Sequence, residues 1–446
     1  MSTDPSPPVP APHDPTARRA AAAYGAVPPE PVEPAHGRHG GGRGPAWLLG
    51  AVVVVLGLAA LVGVALTWPD GETTAGAGLV DVDVQYLRAD VTDARWTTCD
   101  GTIEDVAPDG TVPETVQCLQ VDATVTGGSL AGTQVQVLAT SGVGVDDVPP
   151  GTGIIVERYP PIDGAAEVWA WGDYQRGLPL GTFALVFALV TVLVAGLRGL
   201  RALIGLAFAF VVLAVYLIPG LVQGQSGLVV ALCASTVIVV VVLYLAHGVS
   251  LRTTTALVGT LAGLAMVTGL GVLGAELAHL QPGSTEETYR LARLLGDDGI
   301  QILRGVFLSG VVLAGIGVLN DVTITQAAAV FELRASDPDA SWRRLFERGM
   351  RIGRDHIAST VYTIAFAYAG ASLPVLLLLE LYAQPLTRTL TTGEFAEEIV
   401  RTLAGSVGLV LAIPLTTLIA ALAAVTVHDP ARLAGTGHTH THRHVG

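Results

Sequence analysis

Charge is scarce in this chain: Asp, Glu, Lys and Arg make up 14% of its 446 residues, against 51% hydrophobic ones, and lysine is absent, all 24 basic residues being Arg. Such a composition, with a mean hydropathy of +0.56, excludes an ordinary soluble enzyme and belongs to a multi-spanning membrane protein. The missing lysine goes with the excess of Ala, Gly and Val and reads as a compositional bias rather than a functional one. Catalytic signatures are missing as well. There is no P-loop, no H-E-x-x-H and no nucleophile elbow, so hydrolysis of ATP or of peptides has no support, and no enzymatic activity is expected. Gly269, Gly271 and Gly274 do spell G-x-G-x-x-G, but inside an apolar run with no strand before it. Close helix packing accounts for them, as it does for Gly259 and Gly263. No EF-hand spacing occurs among the Asp-rich turns, so no metal and no cofactor is expected.

What is present is a series of apolar runs, over 46–66, 178–197, 202–219, 227–246, 255–275, 305–333, 357–381 and 403–427. Each approaches or exceeds the roughly 20 residues that cross a bilayer as a helix. The expected fold is an all-α polytopic membrane bundle of about eight transmembrane helices with an inserted small all-β extracytoplasmic domain. Its organisation follows: 1–45 a disordered cytoplasmic tail rich in Pro, Gly, Ala and His; 46–68 a transmembrane anchor helix; 69–176 the extracytoplasmic β domain; 177–428 a seven-helix transmembrane domain; 429–446 a His-rich cytoplasmic tail. The positive-inside rule orients it. Arg198, Arg201, Arg252 and the cluster Arg334, Arg343, Arg344, Arg348, Arg351 and Arg354 fall on one side, predicted cytoplasmic with both termini. Arg290, Arg293, Arg388 and Arg401 fall on the other and are outvoted. Pro219, Pro374 and Pro414 interrupt three of the runs and free backbone carbonyls there.

The region 70–176 changes character. It alternates apolar and polar residues in LVDVDVQYL, CLQVDATV and TQVQVLA, between Gly, Pro and Asp turns, as half-buried strands do. Its 18 Asp and Glu against 4 Arg differ by as much as the net charge of the whole chain, −14. The acidity is thus confined to this domain, and nucleic acid is not an expected partner. Cys99 and Cys118 are two of the three cysteines. An exported domain favours their pairing as a disulfide, which in the chain-entropy model adds about 3 kcal/mol.

The run 305–333 carries the candidate site. Asn320 and Asp321 lie near its middle, where an ionised Asp costs roughly 2.5–3.5 kcal/mol and faces protein or water. At about 100° per residue, Gly310, Gly317, Asp321, Thr325, Ala328 and Glu332 share one arc of small and polar side chains, suited to a helix interface or a wet path. Asn320, Thr323 and Gln326 lie off it. The alternative is a helix that leaves the membrane near Asn320, with Asp321 as an interfacial cap. Asp321, Asn320, Thr325, Gly317 and Glu332 are therefore the expected transport or structural polar site, with Glu332 near enough to Arg334 or Arg351 to pair.

Three passages resemble the YibE/F-like family of bacterial multi-pass membrane proteins: TGGSLAGTQVQVLA at 126–139, DYQRGLPL at 173–180 and GIGVLNDVTITQAAAVFEL at 315–333. The family's Gly, Asp four residues on and Glu eleven beyond fall on Gly317, Asp321 and Glu332. Where the family has a Ser-rich run, this chain has Thr325, Gln326, Ala327, Ala328 and Ala329. The resemblance spans about 46–428 and implies a multi-pass protein of the bacterial plasma membrane. Two function classes remain. One is a transporter or permease for an unknown small solute or ion, embedded in the lipid bilayer and passing its cargo beside Asp321. The other is a non-transporting interaction or assembly protein that offers its β domain to a membrane or extracytoplasmic protein partner.

Overall fold

The computed structural model describes residues 44–71, 84–107, 109–161, 166–281, 286–296, 299–381 and 385–427. The His-rich tail, and all but the last two residues of the predicted N-terminal tail, lie outside the described residues. Helix α1 (Gly44–Leu66) leads into five strands: β1 (Gln85–Asp100), β2 (Thr115–Val125), β3 (Gln134–Leu138), β4 (Gly153–Tyr159) and β5 (Val168–Tyr174). Helices follow: α2 (Gly177–Val212), a π turn over Leu213–Leu217, α3 (Ile218–Val222), α4 (Gly227–His247), α5 (Leu251–Leu277), α6 (Glu286–Leu294), α7 (Gly299–Ser336), α8 (Trp342–Ala371), α9 (Leu373–Leu381), α10 (Leu386–Thr389) and α11 (Gly393–Ala424).

Every strand pairing is antiparallel, in the order β3-β2-β1-β4-β5. The 16-residue β1 is long enough to pair with β4 over its first six residues and with β2 from Ala89 to its end, and a bulge between Val91 and Asp93 follows the two residues, Ala89 and Asp90, that pair on both sides. A bulge bends a strand, and the edges β3 and β5 come into contact. The resulting circular order, β1-β2-β3-β5-β4, is the connectivity of a five-stranded Greek-key barrel. Alternate residues fill it: Val91, Leu119, Val121, Val137, Ile154 and Val156 are buried, with Val148 from the turn after β3.

Six helices among the described residues are long and apolar enough to cross a membrane: Trp47–Leu66, Gly177–Val222, Gly227–His247, Leu251–Leu277, Gly299–Ser336 and Phe395–Ala424. Two of the predicted runs, 178–197 and 202–219, fall within Gly177–Val222. They are separated at Gly196, whose φ of 59° and ψ of −140° only glycine adopts readily. A Cβ on Gly199 would strike the Thr191 carbonyl oxygen, so the chain turns sharply there. The run 357–381 is divided between α8 and α9, and the first half of α8 carries five arginines.

Glycines set the helix pairing. Gly274 of α5 lies against Val400 of α11, Gly263 against Ala412, and Gly259 against Thr416, so α5 and α11 are antiparallel. On its other side Gly271 meets Val311 of α7, where a Cβ would come to 2.7 Å, and Gly263 meets Leu319 at 2.8 Å. Helix α5 is therefore antiparallel to α7 as well, and α7 and α11 run in the same direction. The chain between them returns through α8: Gly349 packs on Thr417, Gly353 on Ile413, and Tyr368 comes within electrostatic reach of Glu398 and Arg401. Helix α4 runs parallel to α7, with Gly227 against Gly305, and antiparallel to α1, with Cys233 against Gly63. Without a backbone approach this close, dispersion contacts and hydroxyl bonds between helices in lipid would be lost.

Candidate functional site

Helix α7 places the predicted residues on two different sides. Leu319, Val322, Thr323, Gln326 and Val330 face the bundle and are buried. Gly317, Asp321, Thr325 and Glu332 face outward and are exposed, and a Cβ on Gly317 would meet nothing within 4 Å. Within the predicted arc, Gly317, Asp321 and Thr325 thus lie on a side of α7 that no other described helix covers, whereas Gly310 lies against Arg401 of α11 and Glu332 is within reach of Arg252 of α5. Asp321 is 23rd of the 38 residues of α7, and it lies between Leu319, level with Gly263, and Thr323, level with Thr260. Counted along α5, which starts at Leu251 and ends at Leu277, that level is nearer the middle than either end. Asp321 is not a helix cap.

The remaining members are held locally. The Thr325 hydroxyl donates to the Asp321 backbone carbonyl at 2.8 Å. Glu332 pairs with Arg252 of α5 at 3.8 Å, where the sequence suggested Arg334 or Arg351; the antiparallel α5 brings Arg252 to the same level. Arg334 instead donates to the Ala340 carbonyl at 3.0 Å. Asn320 is half-buried, and its Oδ1 makes no hydrogen bond.

The residues off the arc organise the interior. Thr323 and Thr260 share a hydroxyl hydrogen bond of 2.5 Å between α7 and α5. Gln326 donates from Nε2 to the Gly349 carbonyl at 2.8 Å and to the Thr417 hydroxyl at 2.7 Å. One amide thereby joins α7, α8 and α11.

A second constellation, at the end of the bundle where α5 finishes and α7 and α11 begin, was not singled out by the sequence. A cavity of about 380 Å³ lies there, walled by Leu303, Val306 and Phe307 and bordered by Arg304, Glu397 and Arg401. Arg401 pairs with Glu398 at 2.5 Å and lies over the Phe307 ring at 5.5 Å. Arg304 reaches Glu276 at 3.9 Å. The available signal was Arg401 itself, a cation on the side that the arginine bias left acidic.

In the barrel, Cys99 and Cys118 are separate thiols. Thr97 opposes Cys118 and Cys99 opposes Val116, so the two cysteines are diagonal neighbours on one face. The Cys99 thiol is hydrogen-bonded to Cys118 and pushes its pKa up to about 11. No group of three or more His, Cys, Asp or Glu placed to hold a metal occurs among the described residues.

Comparison with known proteins adds one match. No curated protein and no solved structure is detectably similar. The family model described as YibE/F-like protein matches residues 183–426. The match takes in α7 with its Gly317, Asp321 and Glu332, and it begins after the barrel and the passages at 126–139 and 173–180. With more than half of its length matched and the glycine-packed helices lying inside the match, the chain belongs to the YibE/F-like family.

Proposed function

We propose that this protein is a permease that carries a small solute or ion along the open face of α7, with the Asp321 carboxylate in the path. One observation carries the reading: an acidic side chain near the middle of a 38-residue helix stands exposed on a face that no other described helix covers. Facing lipid, an ionised Asp costs roughly 2.5–3.5 kcal/mol, a cost that water or protein on that side removes. The neighbours Gly317, Thr325 and Glu332 suit a wet face, being small or polar.

The proposed topology has eight crossings. Its support is directional: α7 and α11 run the same way, so the segment between them has to return, and α8 lies along that return. The break at Gly196 likewise gives α2 two legs. The arginine-rich end, with Arg252, Arg334 and Arg348, is assigned to the cytoplasm and the barrel to the outside of a bacterial plasma membrane. A disulfide between Cys99 and Cys118 is part of this proposal, since the thiols are already adjacent. The competing reading, an assembly protein, would have a partner helix covering the same face.

The test is flux in vesicles. Uptake and efflux of metabolites and ions are compared with and without the protein, and then with Asp321→Asn. The variant is expected to insert normally and to lose flux by at least about tenfold, because tenfold in rate is only about 1.4 kcal/mol. Glu332→Gln, whose partner Arg252 lies at the arginine-rich end, is expected to retain most of it. Equal, wild-type flux in both variants would remove Asp321 from the path.

A further inference from the structure

Helix α8 carries two kinds of charge. Some are occupied: Arg348 donates to Asp337 at 3.0 Å, Arg344 comes to 3.8 Å from the same carboxylate, and Arg343 lies over the Trp342 ring at 5.3 Å. The others, Glu347, Arg351, Arg354 and Asp355, are exposed, and none forms an ion pair or side-chain hydrogen bond with a described residue.

Their depth makes this costly. Gly353 packs on Ile413, whose neighbour Ala412 faces Gly263, and Gly263 in turn faces Leu319. Leu319 is the middle of the apolar run 305–333, and Ile413 lies close to the middle of 403–427. Arg354 and Asp355, next to Gly353, are therefore level with the middle of two spans, roughly 15 Å from either surface of a hydrocarbon core. An ionised group at that depth faces protein or water. Asp355, on one methylene, is too short to snorkel out.

The bundle itself supplies no cover. At about 100° per residue, the buried Leu345, Gly349, Gly353 and Ile364 share one side of α8, and Glu347, Arg351, Arg354, Asp355 and Ala358 share the opposite one. The charged face thus points away from α7 and α11. It holds both signs in equal number, in a self-complementary order. Two copies in one membrane share an orientation, so a two-fold axis along the membrane normal sets α8 beside the other α8 with equal residues at equal depth. Arg354 and Asp355, consecutive in the chain, then meet each other crosswise, and Glu347 and Arg351, one turn apart, repeat the pairing nearer the arginine-rich end. A face of one sign would repel its copy.

We infer that this face of α8 is the contact through which two copies of the chain dimerise, with Arg354 and Asp355 paired across the two-fold axis. The inference rests on α8 being one of the crossings proposed above and does not require transport.

The experiment is cross-linking by a short bis-maleimide in native membranes, with single cysteines in a background without native ones, together with the mass of the extracted full chain by light scattering. Ala358→Cys is expected to give a covalent dimer and the mass to be that of two copies. Val194→Cys, exposed on α2, is the collision control and is expected to give at least about tenfold less. Adding Arg354→Asp or Asp355→Arg to Ala358→Cys leaves one sign at the pair, and each is expected to cut the cross-linked fraction by at least about tenfold. Co-expressed, these two variants present opposite signs and are expected to cross-link to each other; the double exchange R354D/D355R is expected to cross-link to itself. Such recovery separates a lost contact from a lost fold. Folded wild-type protein with the mass of one copy, Ala358→Cys no more cross-linked than the control, a cross-link from it to a different protein, an Arg354→Asp variant that cross-links to itself like wild type, or no recovery in either combination overturns the assignment. Ala358→Cys that is protected from an impermeant thiol reagent in opened membranes and yet uncross-linked overturns the dimer alone, whereas free labelling there overturns the crossing of α8 as well.

Discussion

Gln326 illustrates what a single polar residue does inside this bundle. Its amide is buried and donates to two other helices, at 2.8 Å to the Gly349 carbonyl and 2.7 Å to the Thr417 hydroxyl. Hydrogen bonds between helices in membranes contribute on average about 0.6 kcal/mol and at most about 1.7. Gln326→Leu is therefore expected to destabilise the bundle by about 1 kcal/mol, measured as a lowered midpoint in unfolding from mixed micelles. A midpoint equal to that of the wild type would mean the amide contributes nothing net. At Cys118 the consequence is chemical. The adjacent Cys99 thiol pushes its pKa up to about 11 from an ordinary 9.0, so at pH 8 less of it is thiolate, the species that alkylates. Iodoacetamide should modify Cys118 roughly ten- to a hundredfold more slowly than an unperturbed thiol, and Cys99→Ala should restore ordinary speed. The gap should narrow as pH rises through 9 and towards 11. Under mild oxidation, non-reducing mass spectrometry is expected to find Cys99 linked to Cys118, and two thiols that persist would remove that bond from the account.

At the scale of elements, the close helix approaches make a sharp contrast between glycines. A Cβ on Gly353 would come to 2.6 Å from Ile413 Cγ2, whereas one on Gly317 would meet nothing within 4 Å. Overpacking of this kind costs typically 1–3 kcal/mol. Gly353→Ala should thus lower thermal stability by about that amount, and Gly317→Ala should leave it unchanged or slightly raised, since Ala is the better helix former. Loss of stability in both would mean that α7 has a neighbour on its open side. Much of the element order was legible beforehand. Long apolar runs name helices, and the alternation in CLQVDATV, now β2, names a strand, because bilayer thickness and the pleat impose those periods. The arc on α7 was legible for the same reason, as a fixed angle per residue. Its direction was not, since periodicity says which residues share a face and nothing of what lies opposite. The division of α2 was legible too, as two runs with Arg198 and Arg201 between them, but the means was not: only the observed φ of 59° distinguishes Gly196 from the many glycines that pack helices.

For the whole molecule, the relative directions of α5, α7, α8 and α11 are set by pairs of residues far apart in sequence, such as Gly274 with Val400 and Gly349 with Thr417. No local pattern encodes them. The same long-range pairing creates the Arg401 cavity from α5, α7 and α11, which is why that site was illegible while Asp321, carried on one helix, was not. The proposed orientation is checked by cysteines at two exposed positions in a background without native cysteines. Ser141→Cys should react with an impermeant thiol reagent on intact cells, and Ser341→Cys only after the membrane is opened. The most direct test of the central claim concerns the open face of α7 in its native membrane. Single cysteines at Gly317, Thr325 and Ala328 are to be labelled with a small hydrophilic thiol reagent, with Val322→Cys, a buried position on the same helix, as control. The account predicts that the first three react and the control does not, with Asp321 standing in water among them. Protection of all three, in protein that is folded and inserted, would contradict it by putting lipid or a partner helix where the path is proposed to run.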